Sequence, residues 1–270
     1  MRRLKNRAPR IERAGEWLYE AHRRGEPFAP LPAELAPQNA AEAYAVQGEY
    51  VGMRGRELGA VAGYKIALTT AQMRRRAGLE EPIAGDMLEK TILRTPARVR
   101  AADYQRLLVE FEIAVELGED LPAVGAPYTR EGVARAVAAV MPALELADDR
   151  NADYRALAQH PLMLIADNAW NEGAVLGEPV RAWQRIDLAA LRGTALADGT
   201  TLGEGYGRDV MGHPFEALAW LANHLASRGL GLWRSDIVLT GSLVPSHFAR
   251  AGERIRFETD ALGRVELEVE

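Results

Sequence analysis

The sequence predicts an α+β fold in which an N-terminal helical segment precedes a β-rich body. Two patterns carry this prediction. In residues 10–24 and 39–58, apolar residues recur at three- and four-residue spacing, as they do in amphipathic helices. After Gly59 the pattern changes to short apolar or alternating runs bounded by turn residues, which is typical of strands. We therefore divide the chain into a helical segment, residues 1–58, and a second domain, residues 59–270.

The individual elements follow from the same patterns. The proline-rich stretch 27–37 predicts a connector between the two N-terminal helices, and Asp198-Gly199 predicts a hairpin turn. Later helices are expected at about 130–140, near 167–172 and at 214–227. Strands are predicted at residues 61–68, 108–117, 141–147, 237–239, 254–258 and 265–270.

Composition excludes several functional classes. The 270 residues are 48% hydrophobic, which is enough for a core. Cysteine is absent, which excludes disulfides, a thiolate nucleophile and cysteine-bound zinc, and a cytoplasmic location is the default expectation. The net charge of −5 and the scattered basic residues argue against nucleic-acid binding. No apolar run approaches 18 residues and none follows the basic start, so neither a membrane span nor a secretion signal is expected.

Lysine is rare in this chain. Of 33 basic residues only Lys5, Lys65 and Lys90 are lysines. Lys65 lies in an apolar stretch, residues 61–68, where a titratable amine does what an always-charged guanidinium cannot. Burial would lower the pKa of Lys65 and make it a candidate acid or base. The alternative is an edge-strand lysine whose charged end reaches solvent.

Two glutamates lie on one face of a predicted strand. In residues 109–115 a period of two places Glu110 and Glu112 on the face opposite the apolar side chains. Neighbouring carboxylates repel each other, so they need either open solvent or a nearby cation. Glu145 interrupts the apolar run 141–147, where a lone buried carboxylate would be costly. Three such ligands predict a site for a hard divalent cation, Mg²⁺ or Mn²⁺.

Other candidate residues carry less information. His213 precedes a helix and fits a capping role, and the hydroxyl groups of Thr240 and Ser242 end a strand where they could reach a ligand or stabilise a turn. The sequence contains neither a phosphate-binding loop with its Lys-Ser/Thr nor a Gly-x-Ser-x-Gly nucleophile elbow. Nucleotide-dependent and serine-hydrolase chemistry are therefore not supported.

An ordered set of motifs resembles a known family. The motifs are Gly63-Tyr64-Lys65-Ile66, Val109-Glu110-Phe111-Glu112-Ile113-Ala114, Pro142-Ala143-Leu144-Glu145, Ile165-Ala166-Asp167-Asn168, Gly212-His213-Pro214 and Leu239-Thr240-Gly241-Ser242. They are similar to those of 2-keto-4-pentenoate hydratases and the related 4-oxalocrotonate decarboxylases, a branch of the fumarylacetoacetate-hydrolase (FAH) superfamily. The resemblance covers most of the chain.

The resemblance implies a mixed β-roll in residues 59–270, a Mg²⁺ or Mn²⁺ cofactor and a homo-oligomer. It implies that the metal ligands are Glu110, Glu112 and Glu145. Lys65 would be the catalytic amine, and Asn168 and Ser242 would line the substrate pocket.

The reaction implied is the addition of water to a 2-hydroxy-2,4-dienoate, giving a 4-hydroxy-2-oxo acid, in the catabolism of aromatic or related compounds. The partner is therefore a small 2-oxo or 2-hydroxy acid. Decarboxylation of a 2-oxo-dioate and C–C hydrolysis of an acylpyruvate at the same metal site are alternatives. A non-catalytic ligand-binding protein is a third, because folds are retained when functions change.

Two positions depart from the family pattern. Hydratases of this branch commonly have Pro-Asp-Phe-Gly after the lysine strand, whereas this chain has Ile83 in the aspartate position. Relatives have Asp-Asn-Ala-Ser where this chain ends the motif with Trp170. An acid implicated in proton transfer is thus replaced, and Glu81, Asp86 and Glu89 are the nearby candidates to supply one.

Overall fold

The computed structural model describes residues 9–270. Two helices, α1 (Pro9–Arg23) and α2 (Ala40–Leu58), pack against each other at its start and confirm the predicted pair. A Cβ on Gly15 would stand 2.5 Å from the Cβ of Glu49, so glycine permits this close approach. The first eight residues of the basic start lie outside the described range.

The body of the protein consists of strands with four short or medium helices between them. The strands are β1 (Val61–Ala67), β2 (Ile83–Leu88), β3 (Ile92–Arg94), β4 (Ala97–Val99), β5 (Leu107–Leu117), β6 (Val137–Asp148), β7 (Asn171–Leu176), β8 (Arg192–Ala197), β9 (Thr200–Tyr206), β10 (Ile237–Phe248), β11 (Arg254–Thr259) and β12 (Gly263–Val269). The helices are α3 (Ala71–Ala77), α4 (Arg130–Ala136), α5 (Pro161–Ala166) and α6 (Pro214–Ser227). The predicted α+β class is confirmed, as are α6 and the hairpin turn between β8 and β9.

The strands form two sheets. A seven-stranded sheet has the order β2-β1-β10-β5-β6-β7-β3, and a five-stranded sheet has the order β4-β12-β11-β8-β9. In the larger sheet β5 lies between β10 and β6 and is antiparallel to both, while β1 runs parallel to β10. The long strands β5 and β6 therefore form the centre of the sheet, and β1 lies on the far side of β10.

The two faces of β5 meet different surroundings. Phe111 points away from the acidic face and packs near Phe257 of the smaller sheet, with ring centroids 5.8 Å apart. The acidic face continues into a second buried cluster that includes Met87 of β2, Met141 of β6 and Leu176 of β7. Because β2 and β7 lie toward opposite edges of the sheet, their contact curls the sheet into a roll with the acidic face inside.

Some local predictions were wrong. No α-helix spans the range 167–172. Helix α5 ends before it, at Ala166, and the range itself contains a 3-10 turn over Asn168–Trp170 and the start of β7. The helix expected at about 130–140 stops at Ala136, because the β-branched Val137 begins β6 and pairs with β5. Strand β2 was not predicted. Within the described part of the chain, no helix is long and apolar enough to cross a membrane.

Gly63 is required by the close approach of β1 and β10. A Cβ at this position would lie 2.1 Å from the carbonyl oxygen of Ile237. We expect Gly63→Ala to lower the free energy of unfolding by about 1–3 kcal/mol, as overpacking does. Gly52→Ala is the control, because Gly52 lies in α2 with open space around its would-be Cβ and gains helix propensity. Equal denaturant midpoints for the two variants would contradict the explanation.

Candidate metal centre and cavity

Strand register brings the three predicted carboxylates together. Glu110 of β5 pairs directly with Glu145 of β6, and Glu112 follows on the same face of β5. One oxygen from each of the three side chains lies within 4.8 Å of the others. The local alternation of β5 supplies two carboxylates, and the pairing with β6 supplies the third. The group could therefore hold a metal ion.

Two oxygens of this group are buried without a partner. Glu112 and Glu145 are completely inaccessible to solvent. Glu112 Oε2 accepts a hydrogen bond from the Gly241 amide at 2.7 Å, and Glu145 Oε1 accepts one from Asn171 Nδ2 at 3.0 Å. Glu112 Oε1 and Glu145 Oε2 have no hydrogen-bond partner within residues 9–270. Buried carboxylate oxygens are costly when unpaired, and a divalent cation with oxygen ligands fits this donor set.

The pKa shifts within the group also indicate a site for a cation. Burial raises the pKa of Glu112 well above its usual range, and the neighbouring charges of Glu145 and Glu110 raise it further. Burial also raises the pKa of Glu145, although Lys65 opposes the shift. These carboxyl groups resist ionisation where they stand. A cation among them would favour their charged forms.

Lys65 completes the centre from β1. It is buried, and its Nζ lies 3.0 Å from Glu145 Oε1 and donates to the carbonyl oxygen of Ala169 at 3.4 Å. The expectation of a lowered pKa for Lys65 was wrong, because the net shift is upward. Burial does act to lower the pKa of Lys65, but the surrounding carboxylates outweigh it and raise the pKa above its ordinary value. The alternative, an edge-strand lysine whose charged end reaches solvent, is excluded because Lys65 is buried.

A left-handed turn places the carbonyl group that Lys65 contacts. Asn168, Ala169 and Trp170 have φ values of 54°, 49° and 62°, which non-glycine residues rarely adopt. The side chain of Asn168 accepts from the Asp86 amide at 2.7 Å and donates to the Asp86 carbonyl oxygen at 2.9 Å. This pair of hydrogen bonds fixes the turn against β2. A Cβ on Gly85 would stand 2.6 Å from the Asn168 carbonyl oxygen, so only glycine fits between them.

A cavity of about 510 Å³ opens onto the centre. Lys65, Glu110 and Ser242 are among its lining residues, as the sequence predicts for a pocket beside the metal ligands. Asn168 does not line it, and both polar groups of its side chain are engaged by Asp86. A direct substrate contact by Asn168 stays a prediction.

The candidate replacement acids lie elsewhere. Glu81, Asp86 and Glu89 are all outside the wall of the cavity. Ile83, which occupies the family's aspartate position, does line the cavity. Of the acidic and basic groups considered in the sequence, Lys65 and Glu110 are therefore the ones that line the cavity.

Several residues of the site escaped sequence reasoning. Ser246 donates to Glu110 Oε1 at 2.9 Å, and Asn171 holds Glu145 as described. Tyr154 lines the cavity and donates to Asp149 Oδ2 at 2.8 Å. No spacing in the sequence connects these residues to the glutamates. His213 is confirmed as a cap, because its Nδ1 accepts from the Phe215 amide at 2.9 Å.

Comparisons with known proteins agree with the motifs. The sequence model described as fumarylacetoacetate (FAA) hydrolase C-terminal matches residues 61–270. The chain is 32% identical over 260 residues to a 2-hydroxyhexa-2,4-dienoate hydratase from Comamonas testosteroni, covering 96% of this chain and 97% of the relative. It is 29% identical over 262 residues to a 2-keto-4-pentenoate hydratase from Paraburkholderia xenovorans strain LB400, covering 96% and 94%.

A solved structure shares the fold. The 4-oxalocrotonate decarboxylase from Pseudomonas putida G7, complexed with magnesium and adipate, matches with a TM-score of 0.88 at 24% identity, covering 98% of this chain and 99% of that one. This likeness confirms the type of β-roll. Together with the sequence matches, it confirms the resemblance that the ordered motifs predict.

Asp86 generates a prediction about pH. Burial raises the pKa of Asp86 to about 6 from an ordinary value of 3.8, and Arg228 opposes the shift. Between these two pH values the folded chain holds a proton that the unfolded chain has lost, so the free energy of unfolding falls as pH rises through this window. We expect Asp86→Asn to stabilise the protein at pH 7.5 and to give no gain at pH 3.5, measured by chemical denaturation.

Glu80→Gln provides the control for Asp86→Asn, because it removes one negative charge from an exposed position nearby. Stabilisation of equal size in both variants would mean that net charge, and not burial of Asp86, is responsible. A gain for Asp86→Asn that is the same at both pH values would also contradict the assigned cause.

Proposed function

Because the chain belongs to the fumarylacetoacetate hydrolase family, we propose that it is a divalent-metal-dependent hydratase. It adds water to a 2-hydroxy-2,4-dienoate and forms a 4-hydroxy-2-oxo acid. The observation that carries the proposal is the pair of unpartnered buried oxygens on Glu112 and Glu145, beside the ammonium group of Lys65. Lys65 and Glu110 line a cavity that opens next to this pair. The two hydratases named above support the choice of reaction.

The proposal assigns Glu110, Glu112 and Glu145 as ligands of Mg²⁺ or Mn²⁺. The chemistry of the donor set fits either ion, because both prefer oxygen ligands. Such a cation supplies Lewis-acid stabilisation of the negative charge that develops on the carboxylate and C2 oxygen of a 2-hydroxydienoate. Ser246 and Asn171 orient two of the carboxylates through hydrogen bonds.

Lys65 is the proposed proton-transfer group. An ammonium group has three N–H donors, and the Glu145 carboxylate and the Ala169 carbonyl oxygen account for two of them. The third is available to a ligand in the cavity that Lys65 lines. In the proposed reaction the dienol is first converted to the ketone, and water then adds at C4. Lys65 would transfer a proton in the first of these steps. Asn168 and Ser242 are the residues predicted to contact the substrate, and Asn168 also fixes the turn that carries Ala169.

Decarboxylation of a 2-oxo-dioate is the second candidate. The same carboxylate centre would stabilise the enolate left after loss of CO₂, and the decarboxylase of similar fold favours this alternative. Acylpyruvate hydrolysis is less favoured, since none of the five histidines lines the cavity to activate water. The proposal also includes a catalytic domain at residues 59–270, a homo-oligomeric assembly and a cytoplasmic location.

Metal dependence is the first test. We expect the wild type to bind Mg²⁺ or Mn²⁺ and to consume 2-hydroxypenta-2,4-dienoate, with loss of dienol absorbance and no release of CO₂. The double variant Glu110→Gln/Glu112→Gln should show no metal binding when measured by calorimetry. Its turnover should fall by at least about 100-fold. The matched control is Glu116→Gln, which changes a glutamate of the same strand outside the centre.

Three outcomes would separate the alternatives. CO₂ release from 4-oxalocrotonate without dienoate turnover would favour the decarboxylase. Turnover that persists in EDTA would overturn the metal dependence. Metal binding by the double variant as tight as that of the wild type would overturn the ligand assignment.

Lys65→Met tests the proton-transfer role. We expect the variant to keep metal binding and to lose about 100- to 10,000-fold in kcat, as is usual when a general acid or base is removed. Lys90→Met is the control, since Lys90 is exposed and donates to the carbonyl oxygen of Glu57 at 2.8 Å, away from the carboxylate centre. Full activity in Lys65→Met would exclude the role.

A further inference from the structure

Both departures from the family pattern lie on the wall of one cavity. Ile83 and Trp170 each line the cavity beside the carboxylate centre, and each is largely buried, at 2% and 8% exposure. In the resembling enzymes these positions carry an acid and a small hydroxyl residue. Here an aliphatic chain and an indole ring take their places. The two changes therefore place larger and mainly apolar side chains on the same surface, where the one polar atom they bring, Trp170 Nε1, is buried without a hydrogen-bond partner among the described residues.

Several other residues of the cavity wall are apolar as well. Leu108, Leu157 and Leu164 line the cavity and are buried to at least nine-tenths. A carboxylate placed against these side chains would lose its hydration without gaining a partner. The arginines that line the cavity, Arg76 and Arg155, are exposed, and Arg155 is paired with Asp153 at 3.0 Å. Apart from Lys65 at the carboxylate centre, the positive charge on the cavity wall is therefore carried by exposed side chains.

The cavity is large for a five-carbon acid. Its volume of about 510 Å³ falls in the range of roughly 300–1,000 Å³ that encloses ligands of drug size. A 2-hydroxypentadienoate has only five carbon and three oxygen atoms, and its polar head has to contact the carboxylate centre. Most of the apolar wall would then face no ligand atom. A longer ligand would bury that wall.

The wall is also held rigidly. The Trp170 ring meets Phe28 edge to face, with centroids 5.3 Å apart, and meets Tyr154 in the same way at 5.8 Å. The Tyr154 hydroxyl is in turn tied to Asp149. Because Trp170 belongs to the left-handed turn fixed by Asn168, both its backbone and its ring are constrained. A preformed apolar surface binds an apolar group without the cost of ordering side chains.

We propose that the substrate carries an uncharged apolar substituent of three or more carbons at the end of the dienoate away from its oxo-acid head. Ile83 and Trp170 are the residues that select this substituent. The proposal rests on the proposed function, since it assumes that the 2-oxo acid head binds at the carboxylate centre.

Binding of unreactive 2-oxo acids tests the proposal without catalysis. Calorimetry in the presence of Mg²⁺ would compare 2-oxopentanoate, 2-oxooctanoate and the dioate 2-oxooctanedioate. We expect affinity to rise about 4-fold for each added methylene group of the monoacid, which is the usual gain for burying that group. The dioate should bind more weakly than 2-oxooctanoate.

Two variants assign the selectivity to residues. Ile83→Thr keeps the β-branched shape that a strand accommodates, and Trp170→Ser restores the residue type of the family motif. Each should bind 2-oxooctanoate at least about 5-fold more weakly and 2-oxopentanoate within about 2-fold of the wild type. Ile92→Thr is the matched control, because Ile92 is a strand isoleucine outside the cavity and should leave both affinities unchanged.

The outcomes separate this proposal from the proposed function. Three results would each overturn the proposal of an apolar substituent. They are tighter binding of the dioate than of 2-oxooctanoate, affinity that does not depend on chain length, and absence of 2-oxo acid binding. If the enzyme turns over 2-hydroxypenta-2,4-dienoate but shows one of these results, only the specificity proposal is wrong. If binding depends on chain length but no dienoate is hydrated, the apolar pocket stands and the hydratase reaction is wrong.

Discussion

Mutual repulsion among three inward-facing carboxylates is the constraint on which the rest of this structure depends. Glu110, Glu112 and Glu145 lie on the concave face of a rolled sheet, where solvent cannot screen the two that are fully buried. Such an arrangement persists with all three groups ionised only if positive charge is placed beside it. Lys65 provides one such charge from a neighbouring part of the sheet, and the remaining unpartnered oxygens leave room for a second. The pairing of β5 with β6 thus brings the negative charges together, and the position of β1 places the positive charge of Lys65 beside them.

The N-terminal helices support this centre through a chain of polar contacts. Gln47 of α2 donates to the carbonyl oxygens of Ala84 and Ile165, which links the helix to β2 and to α5. His22 of α1 and Arg150 both contact Asp167, the residue just before the left-handed turn. Although burial acts to raise the pKa of Asp167, these two partners hold it below its usual value. The turn that carries Ala169 toward Lys65 is therefore anchored from the side facing away from the cavity.

Sequence reasoning was most successful where the signal is local. The alternation in β5 places two carboxylates on one face, and it needs no knowledge of the remaining fold. The third carboxylate and the lysine came from burial arguments combined with the ordered motifs. The helix near 167–172 was wrong because Asn168 bonds to the backbone of Asp86, 82 residues away, and that contact stabilises a turn that local preference disfavours. The predicted direction of the Lys65 pKa shift was wrong for a related reason, since that direction depends on charges carried by other strands.

The cavity joins two regions that different parts of the chain build. The carboxylate centre lies on the long central strands β5 and β6, whereas Trp170 is supported by Phe28 from the connector between α1 and α2 and by Tyr154 from a loop. Substitutions at Phe28 or Tyr154 can reshape the far wall while the pairing of the central strands stays intact. Within such a scaffold, the substrate range and the reaction chemistry can change independently of each other. A laboratory selection for new substrates could therefore begin at the connector without disturbing the acidic centre.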